Sequence, residues 1–578
     1  MGMRRLLPFL AVLAAAHGYP GWFAKEHKEL NPLDRVQPRK LEVLKPQFPW
    51  GTLSVSPDVL EEGGAYLTVS WRTLLPHKDP YWIGMYLEGE DPASIVPIKY
   101  MFTKSDAEKH FSEAGSASFW ATNMRKGIVF NLFRGQPEAP TLVATSNTVK
   151  LRTPNEPTGG RLTHSAMPGS MTISWITGPG ATNQTVQWGS VAGQYTQSAD
   201  ALATTYARSD MCGGVAKGQG WREPGALWTA EMDKLTPGVK VHYRYGSDAD
   251  GWSLPFFFYA KPAYGAKAKF FVFGDLGTHS PDESEQEWDA AASRNTTDLM
   301  AAESFGKSLA LHVGDISYAV GYASKWDDFH AQIAPIATRM PYMTAIGNHE
   351  RDWPGSAIGV KDSGGECGVP YDFRFTMPGT ERDMPWYSFD HGPVHFCVIS
   401  TEHDLDDQYA FVLKDLATVN RTKTPWVVFA AHRPLYVSST NSNPIDGDQT
   451  AATQLREVFE ELLYIAEVDV VVTGHHHTYQ RTCPVYKGAC TTPRFNFSYA
   501  GPVHVVVGMA GFATTTNVED PQPDIFEYVD AEHHGYARVS ADPTSFTLEY
   551  VVNDDGAVHD VLALKKVADP PSPYAKRA

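Results

Sequence analysis

Five short apolar runs in the second half of the chain each end in side chains that bind metal ions. Phe270–Gly274 leads to Asp275, Leu309–Gly314 to Asp315 and Tyr318, and Met343–Gly347 to Asn348, His349 and Glu350. Trp426–Ala431 leads to His432, and Val470–Gly474 to His475, His476 and His477. Carboxylate, amide and phenol oxygens mixed with imidazole nitrogens suit iron, manganese or zinc better than a thiolate-seeking metal. Seven donors (Asp275, Asp315, Tyr318, Asn348, His432, His475 and His477) exceed what one ion needs and match two. Two ions about 3.5–4 Å apart can clamp a phosphoryl group and generate a hydroxide nucleophile near neutral pH. Each piece alone would read as a turn or a solvated histidine; five in succession do not. His312, inside its run, reads as a core histidine, and His476, between two donors, as facing away from them.

Such donors must be held where several strands end. In an open α/β sheet, ligands bind beyond the carboxyl ends of the strands, and all the candidates fall at that edge. The glycine before Asp275, Asp315, Asn348 and His475 is expected to let the chain turn sharply and approach an ion. From Pro262 onward, apolar runs alternate with helical stretches, the pattern of a βαβ layer. Helices are predicted over Ala323–Met340, Gln408–Val419 and a segment where Leu455, Val458, Phe459, Leu462, Leu463 and Ile465 fall mostly on one face. Short alternating strands return from about Pro502. Upstream, Thr68-Val69-Ser70-Trp71 recurs as Thr172-Ile173-Ser174-Trp175 within β-rich stretches, predicting two tandem sandwiches of about 100 residues each. The predicted units are a leader at 1–18, a β-sandwich at 38–152, a second at 155–262, a catalytic domain at 266–500 and strands at 501–565 that complete it.

The 578 residues carry 49 Lys+Arg against 66 Asp+Glu, a formal charge of −17, so the average surface repels a polyanion and argues against nucleic acid as a partner. Arg4 and Arg5 precede an apolar run from Leu6 to Ala16, too short to span a bilayer but suited to a signal peptide. No later run is long enough to span. The chain is therefore expected to be exported, secreted or lumenal (vacuole or cell wall), with no membrane partner. Its oligomeric state is unknown. Cys483 and Cys490 are placed to close a short loop, Cys212 and Cys367 to pair, and Cys397 to remain a buried thiol. Sequons start at Asn183, Asn295, Asn420 and Asn496.

At its donor blocks the chain resembles the purple acid phosphatases, within the calcineurin-like metallophosphoesterases. The blocks read Gly274-Asp275-Leu276-Gly277, Gly314-Asp315-Ile316-Ser317-Tyr318, Gly347-Asn348-His349-Glu350, Ala430-Ala431-His432 and Gly474-His475-His476-His477. Most other metallophosphoesterases carry a histidine where Gly277 stands, while Tyr318 is the extra oxygen donor of the purple group. Asp210-Met211-Cys212-Gly213, Gly220–Gly225, Tyr81-Trp82-Ile83-Gly84 and Pro97-Ile98-Lys99-Tyr100 are similar to the long plant-type members with an additional N-terminal β domain. The resemblance implies an α/β, or α+β, multidomain fold: a four-layer βα-sandwich metallophosphoesterase domain preceded by two β-sandwich (fibronectin III/Ig-like) domains.

It also implies roles. Asp275, Tyr318 and His477 would hold Fe(III), Asp315 would bridge, and Asn348, His432 and His475 would hold a divalent zinc, manganese or iron. Tyrosinate on iron(III) would give a purple colour. A metal-bound hydroxide would attack phosphorus, His349 would steady the phosphate or protonate the leaving oxygen, and Glu350 would orient the donors. Well-studied plant members carry one or two further histidines about nine residues beyond the counterpart of His432, whereas Tyr436–Asn443 has none. The expected activity is hydrolysis of small phosphate monoesters by a secreted acid phosphatase. Nucleotide pyrophosphatase/phosphodiesterase activity on the same site is the alternative, and a non-catalytic extracellular glycoprotein binding partners through its β domains is the reading from another class. With Fe(III) and a divalent ion the site would carry roughly +1, so imported ions would attract a small ester into an acidic chain.

Overall fold

A computed structural model describes residues 32–43, 50–74, 79–103, 114–352, 362–445, 447–492 and 499–566. The leader and the sequon at Asn496 lie outside the described residues. Asn183, Asn295 and Asn420 are exposed.

Two β-sandwiches come first. One packs the sheet of Gly51–Ser56, Ala65–Thr73 and Ala114–Ala121 against a five-stranded sheet centred on Tyr81–Leu87 and Ile128–Arg134. The other packs Thr158–His164, Met171–Thr177, Ala226–Met232 and Leu202–Thr204 against a sheet centred on Thr185–Gly189 and Lys240–Ser247. The repeated tetrapeptide marks the same place in each, a middle strand of its sheet. Strand periodicity explains the spacing: Val69 and Trp71 in one, and Ile173 and Trp175 in the other, point into their respective cores two residues apart.

After Pro262 two larger sheets face each other over a shared apolar core. The first runs Tyr342–Ala345, Ala310–Val313, Ala268–Phe273, Gly535–Ala541, Ser545–Val552 and Val558–Lys565, its first three strands parallel. The second has Val394–Val398, Trp426–Ala430, Val470–Thr473 and Val503–Val507 parallel at its centre. The five site-bearing strands therefore do not lie along one sheet edge, as a single open sheet would have it. Three end in one sheet and two in the other, and the carboxyl ends of both meet.

Helices cover these sheets close to the predicted places: Ser324–Ala337, Leu405–Thr418 and Asp448–Ile465. The last is interrupted by a π-type turn over Arg456–Glu460. A wide turn inserts an extra residue and shifts the phase of the apolar face. Leu455, Phe459, Leu462 and Leu463 stay buried, but Ile465 is 68% exposed and does not belong to that face. Disulfides join Cys212 to Cys367 and Cys483 to Cys490, while Cys397 is a buried free thiol.

Candidate metal centre

All seven predicted donors converge where the two sheets meet. The ligand atoms of Asp275, Asp315 and His477 lie within 4.8 Å of one another, and so do those of Asp315, His432 and His475. Asp315 belongs to both groups. Around the first, Tyr318 Oη is 2.9 Å from His477 Nε2 and 3.4 Å from both Asp275 Oδ1 and Asp315 Oδ2. Around the second, Asn348 Oδ1 is 3.0 Å from His432 Nε2 and 2.9 Å from His475 Nδ1.

The strand ends hold this arrangement with a backbone that departs from the predicted one. The left-handed conformation falls on the donors themselves, with φ of 59° at Asp275, 50° at Asp315, 49° at Tyr318 and 68° at His475. Among the preceding glycines only Gly314 shares it, at 93°. Gly347 and Gly474 are needed for clearance instead: a Cβ there would sit 2.2 Å from Asp315 Oδ1 and 2.4 Å from Asp275 Oδ2. Non-glycine residues in this region carry strain that packing must hold, a pattern concentrated at functional sites.

A second layer fixes the imidazoles. His432 Nδ1 pairs with Val313 O at 2.9 Å and His477 Nδ1 with Ala513 O at 2.7 Å, which turns each Nε2 toward the carboxylates. His475 is reversed. Its Nδ1 faces Asn348, while Nε2 meets Asp448 Oδ1 at 3.4 Å and Arg433 Nη1 at 3.1 Å. Asp448 is also bound by Ser439, and Arg433 by Glu402 at 2.9 Å. Glu350 accepts from the backbone N–H of Ile316 at 2.8 Å and of Gly347 at 3.0 Å, tying two donor loops together. Burial, then the neighbouring charge of Asp315, pushes its carboxyl up to about 8.

His349 donates its backbone N–H to Asp315 Oδ1 at 2.9 Å. Its Nδ1 pairs with Asp362 O at 2.9 Å, leaving Nε2 on the pocket side, 3.8 Å from Asp315 Oδ2. His476 is spent elsewhere, on Thr478 and Asn517. His312 is a buried strand residue bonded to Tyr342 Oη at 2.8 Å. Arg433, Glu402 and Asp448 have no signal in the sequence. Arg433 adjoins His432 in the chain, but no local pattern aims Asp448, at the start of a helix, toward His475. An aromatic wall is equally invisible there: Phe512 stacks on Tyr318 at 4.0 Å, and Trp288 lies 5.3 Å from His349 and 5.7 Å from Phe512. Tyr436–Asn443 brings no imidazole to this pocket; its Ser438 and Ser439 are buried against Gln480 and Asp448.

The donor set fits a pair of highly charged cations. Burial, then the charges of Asp315 and Asp275, raises the Tyr318 phenol far above its ordinary range. A tyrosine packed against two carboxylates is stabilised as an anion only by a strong positive charge at the same place. Oxygen-rich ligation with imidazole suits such ions.

Family models match four consecutive parts of the chain. They are the Fn3-like domain from purple acid phosphatase (residues 53–153), the purple acid phosphatase N-terminal domain (157–260), calcineurin-like phosphoesterase (268–479) and iron/zinc purple acid phosphatase-like protein C (501–561). A protein of Arabidopsis thaliana named probable inactive purple acid phosphatase 27 is 38% identical, over 81% of this chain and 79% of its own. A nucleotide pyrophosphatase/phosphodiesterase of Hordeum vulgare is 37% identical over 54% of this chain and 88% of its own. The solved structure of purple acid phosphatase PPD1 from yellow lupin seeds superposes with a TM-score of 0.82 and 32% identity, covering 90% of this chain and 96% of that one.

Proposed function

Because the chain belongs to the purple acid phosphatase family, which implies a binuclear metal centre, we propose that it is an exported hydrolase of small phosphate monoesters. The observation that carries this reading is the complete donor set, with Asp315 shared between two groups. Several similar relatives are named inactive, yet no donor is missing from this chain. Asp275, Tyr318 and His477 would hold Fe(III), and Asn348, His432 and His475 a divalent zinc, manganese or iron, with Asp315 bridging. When bound, such a pair supplies Lewis-acid charge for the phosphoryl oxygens and lowers the pKa of water. The chain's own residues do the rest. His349, oriented through its Nδ1–H on Asp362 O, presents Nε2 to the phosphate or to the leaving oxygen, and donates a proton there from its doubly protonated form. Glu350 fixes the loops of Asp315 and Asn348. Exposed sequons and two disulfides support passage through an oxidising compartment.

A second reading, hydrolysis of phosphodiesters or nucleotide pyrophosphates, is favoured by the Trp288–Phe512 wall and by the loop without imidazole. An aromatic face can take a flat leaving group, and the barley relative carries that name. Parallel assays on a phosphomonoester and a phosphodiester from acid to neutral pH separate the two; a strong preference for the diester would put the second reading first. Asp315→Asn is expected to abolish turnover while leaving the fold intact by circular dichroism. Purified protein should contain about two metal ions per chain, one of them iron, with visible absorption. A chain with neither would refute the assignment of Fe(III).

A further inference from the structure

Where the second β-sandwich meets the catalytic domain, two arginines are buried with no carboxylate hydrogen-bonded to them among the described residues. Arg161 lies on the strand Thr158–His164 and Arg374 ends the short helix Val369–Arg374; they are 1% and 0% exposed. Arg161 donates through Nε to Arg374 O and through Nη1 to Gly159 O at 2.9 Å, but Nη2 has no hydrogen-bond partner among the described residues. Arg374 donates through Nε to Tyr206 Oη at 3.3 Å, and neither Nη1 nor Nη2 has a hydrogen-bond partner among the described residues. His330, 1% exposed on the helix Ser324–Ala337, has no hydrogen-bond partner among the described residues for either ring nitrogen.

The three side chains surround one pair of rings. Arg161 Cζ is 5.7 Å from the Phe375 centroid, Arg374 Cζ 5.9 Å from Trp326, and the His330 ring 5.6 and 6.3 Å from the same two. Of the nearby acids, Glu366 acts on Arg374 through its charge without a hydrogen bond to its free nitrogens, and Asp327 is paired with Arg125. Glu366 accepts from Trp326 Nε1 and from the Gly321 N–H, both at 3.1 Å, and Asp327 is held bidentately by Arg125. Burial, then the charge of Arg374, lowers Arg161 to about 9. Glu366 offsets one of the two guanidinium charges, so the pair taken out of water calls for one further negative charge. A cleft of about 340 Å³ lined by Thr158, Gly159, Ile176, Asp327 and His330 borders the cluster on the His330 side.

We propose that Arg161, Arg374 and His330 form a buried binding site for a small monovalent anion, chloride in solution, which locks the second β-sandwich onto the catalytic domain. A halide needs only N–H donors around it, and those are what the site presents: free guanidinium N–H groups and one imidazole N–H. No acceptor is required.

The test is a bromide soak of crystals of the metal-loaded protein, read by anomalous scattering. An anomalous peak between the Arg161 and Arg374 guanidiniums is expected. Bromide found only on the surface or only at the metal pocket, with this position empty or filled by water, would overturn the proposal. In solution, replacing gluconate by chloride at constant ionic strength should raise the melting temperature by about 2–4 °C. Arg374→Met should remove that dependence. An equal melting temperature in both salts, or an unchanged chloride effect in a folded Arg374→Met protein, would also count against the site. Should that variant fail to fold, the bromide map of the natural chain decides.

Discussion

Gly347 shows how little room the centre leaves. Its missing side chain is replaced by Asp315 Oδ1, so Gly347→Ala forces the shared carboxylate aside. The expected cost is about 1–3 kcal/mol of stability, the usual range for overpacking, together with loss of metal. Chemical denaturation and metal analysis of the purified variant check both. Asp448 acts one step further out, as a positioning residue for His475. Asp448→Ala is expected to weaken metal retention about 10–100-fold, measured by competition with a chelator, before any effect on substrate binding. The seven donors are legible in the sequence because each follows closely on an apolar run, and strand ends are where such sites form. Asp448 and Arg433 are not, because the contact with His475 depends on how the segment after His432 folds back, and no local pattern encodes that. The glycines, too, serve mainly as clearance, since the left-handed turns sit for the most part on the donors.

Among the elements, the strand Val394–Val398 carries an ion pair with a readable pH dependence. His395 lies between Asp390 at 2.7 Å, on the neighbouring strand, and Asp415 at 2.9 Å, on the helix Leu405–Thr418. Burial works against its charge, but the two carboxylates prevail and raise it to about 9. A folded-state value above the unfolded 6.5 contributes stability that is complete below about pH 6.5 and is lost as pH rises through about 9. The contribution is at most about 3 kcal/mol. Urea denaturation from pH 6 to 9.5 should show this decline, and His395→Gln should flatten it. Helix positions are legible to within a few residues because amphipathic spacing is a local property. The π-type turn over Arg456–Glu460 is not, since nothing in the spacing distinguishes it from a continuous α-helix. Nor does spacing tell that the site strands divide between two sheets: each run reports its own burial, not its neighbour.

At the scale of the whole molecule, the first β-sandwich is fastened to the catalytic domain by a buried pair, Lys99 Nζ to Asp282 Oδ2 at 2.6 Å, with Ser280 Oγ at 2.8 Å. Asp282 also accepts the Trp120 N–H at 2.6 Å. Removing one member of such a pair leaves the other charge stranded. Lys99→Met should therefore cost about 3–5 kcal/mol and make the N-terminal sandwich more susceptible to limited proteolysis. The tandem sandwiches are visible as a repeat, but this fastening joins residues 183 apart, out of reach of any pattern. The Cys212–Cys367 bridge similarly stitches the second sandwich to the catalytic domain, one residue before Gly368, whose N–H donates to Glu350 O. That bridge bears on how the protein is manufactured. In a host whose cytosol keeps thiols reduced, four cysteine sulfurs would be released to compete for zinc and iron while the Glu350 loop lost its tether. A colourless, metal-poor batch from such a host would then record the choice of expression system, and material folded in an oxidising compartment is the preparation on which colour and metal content should be judged.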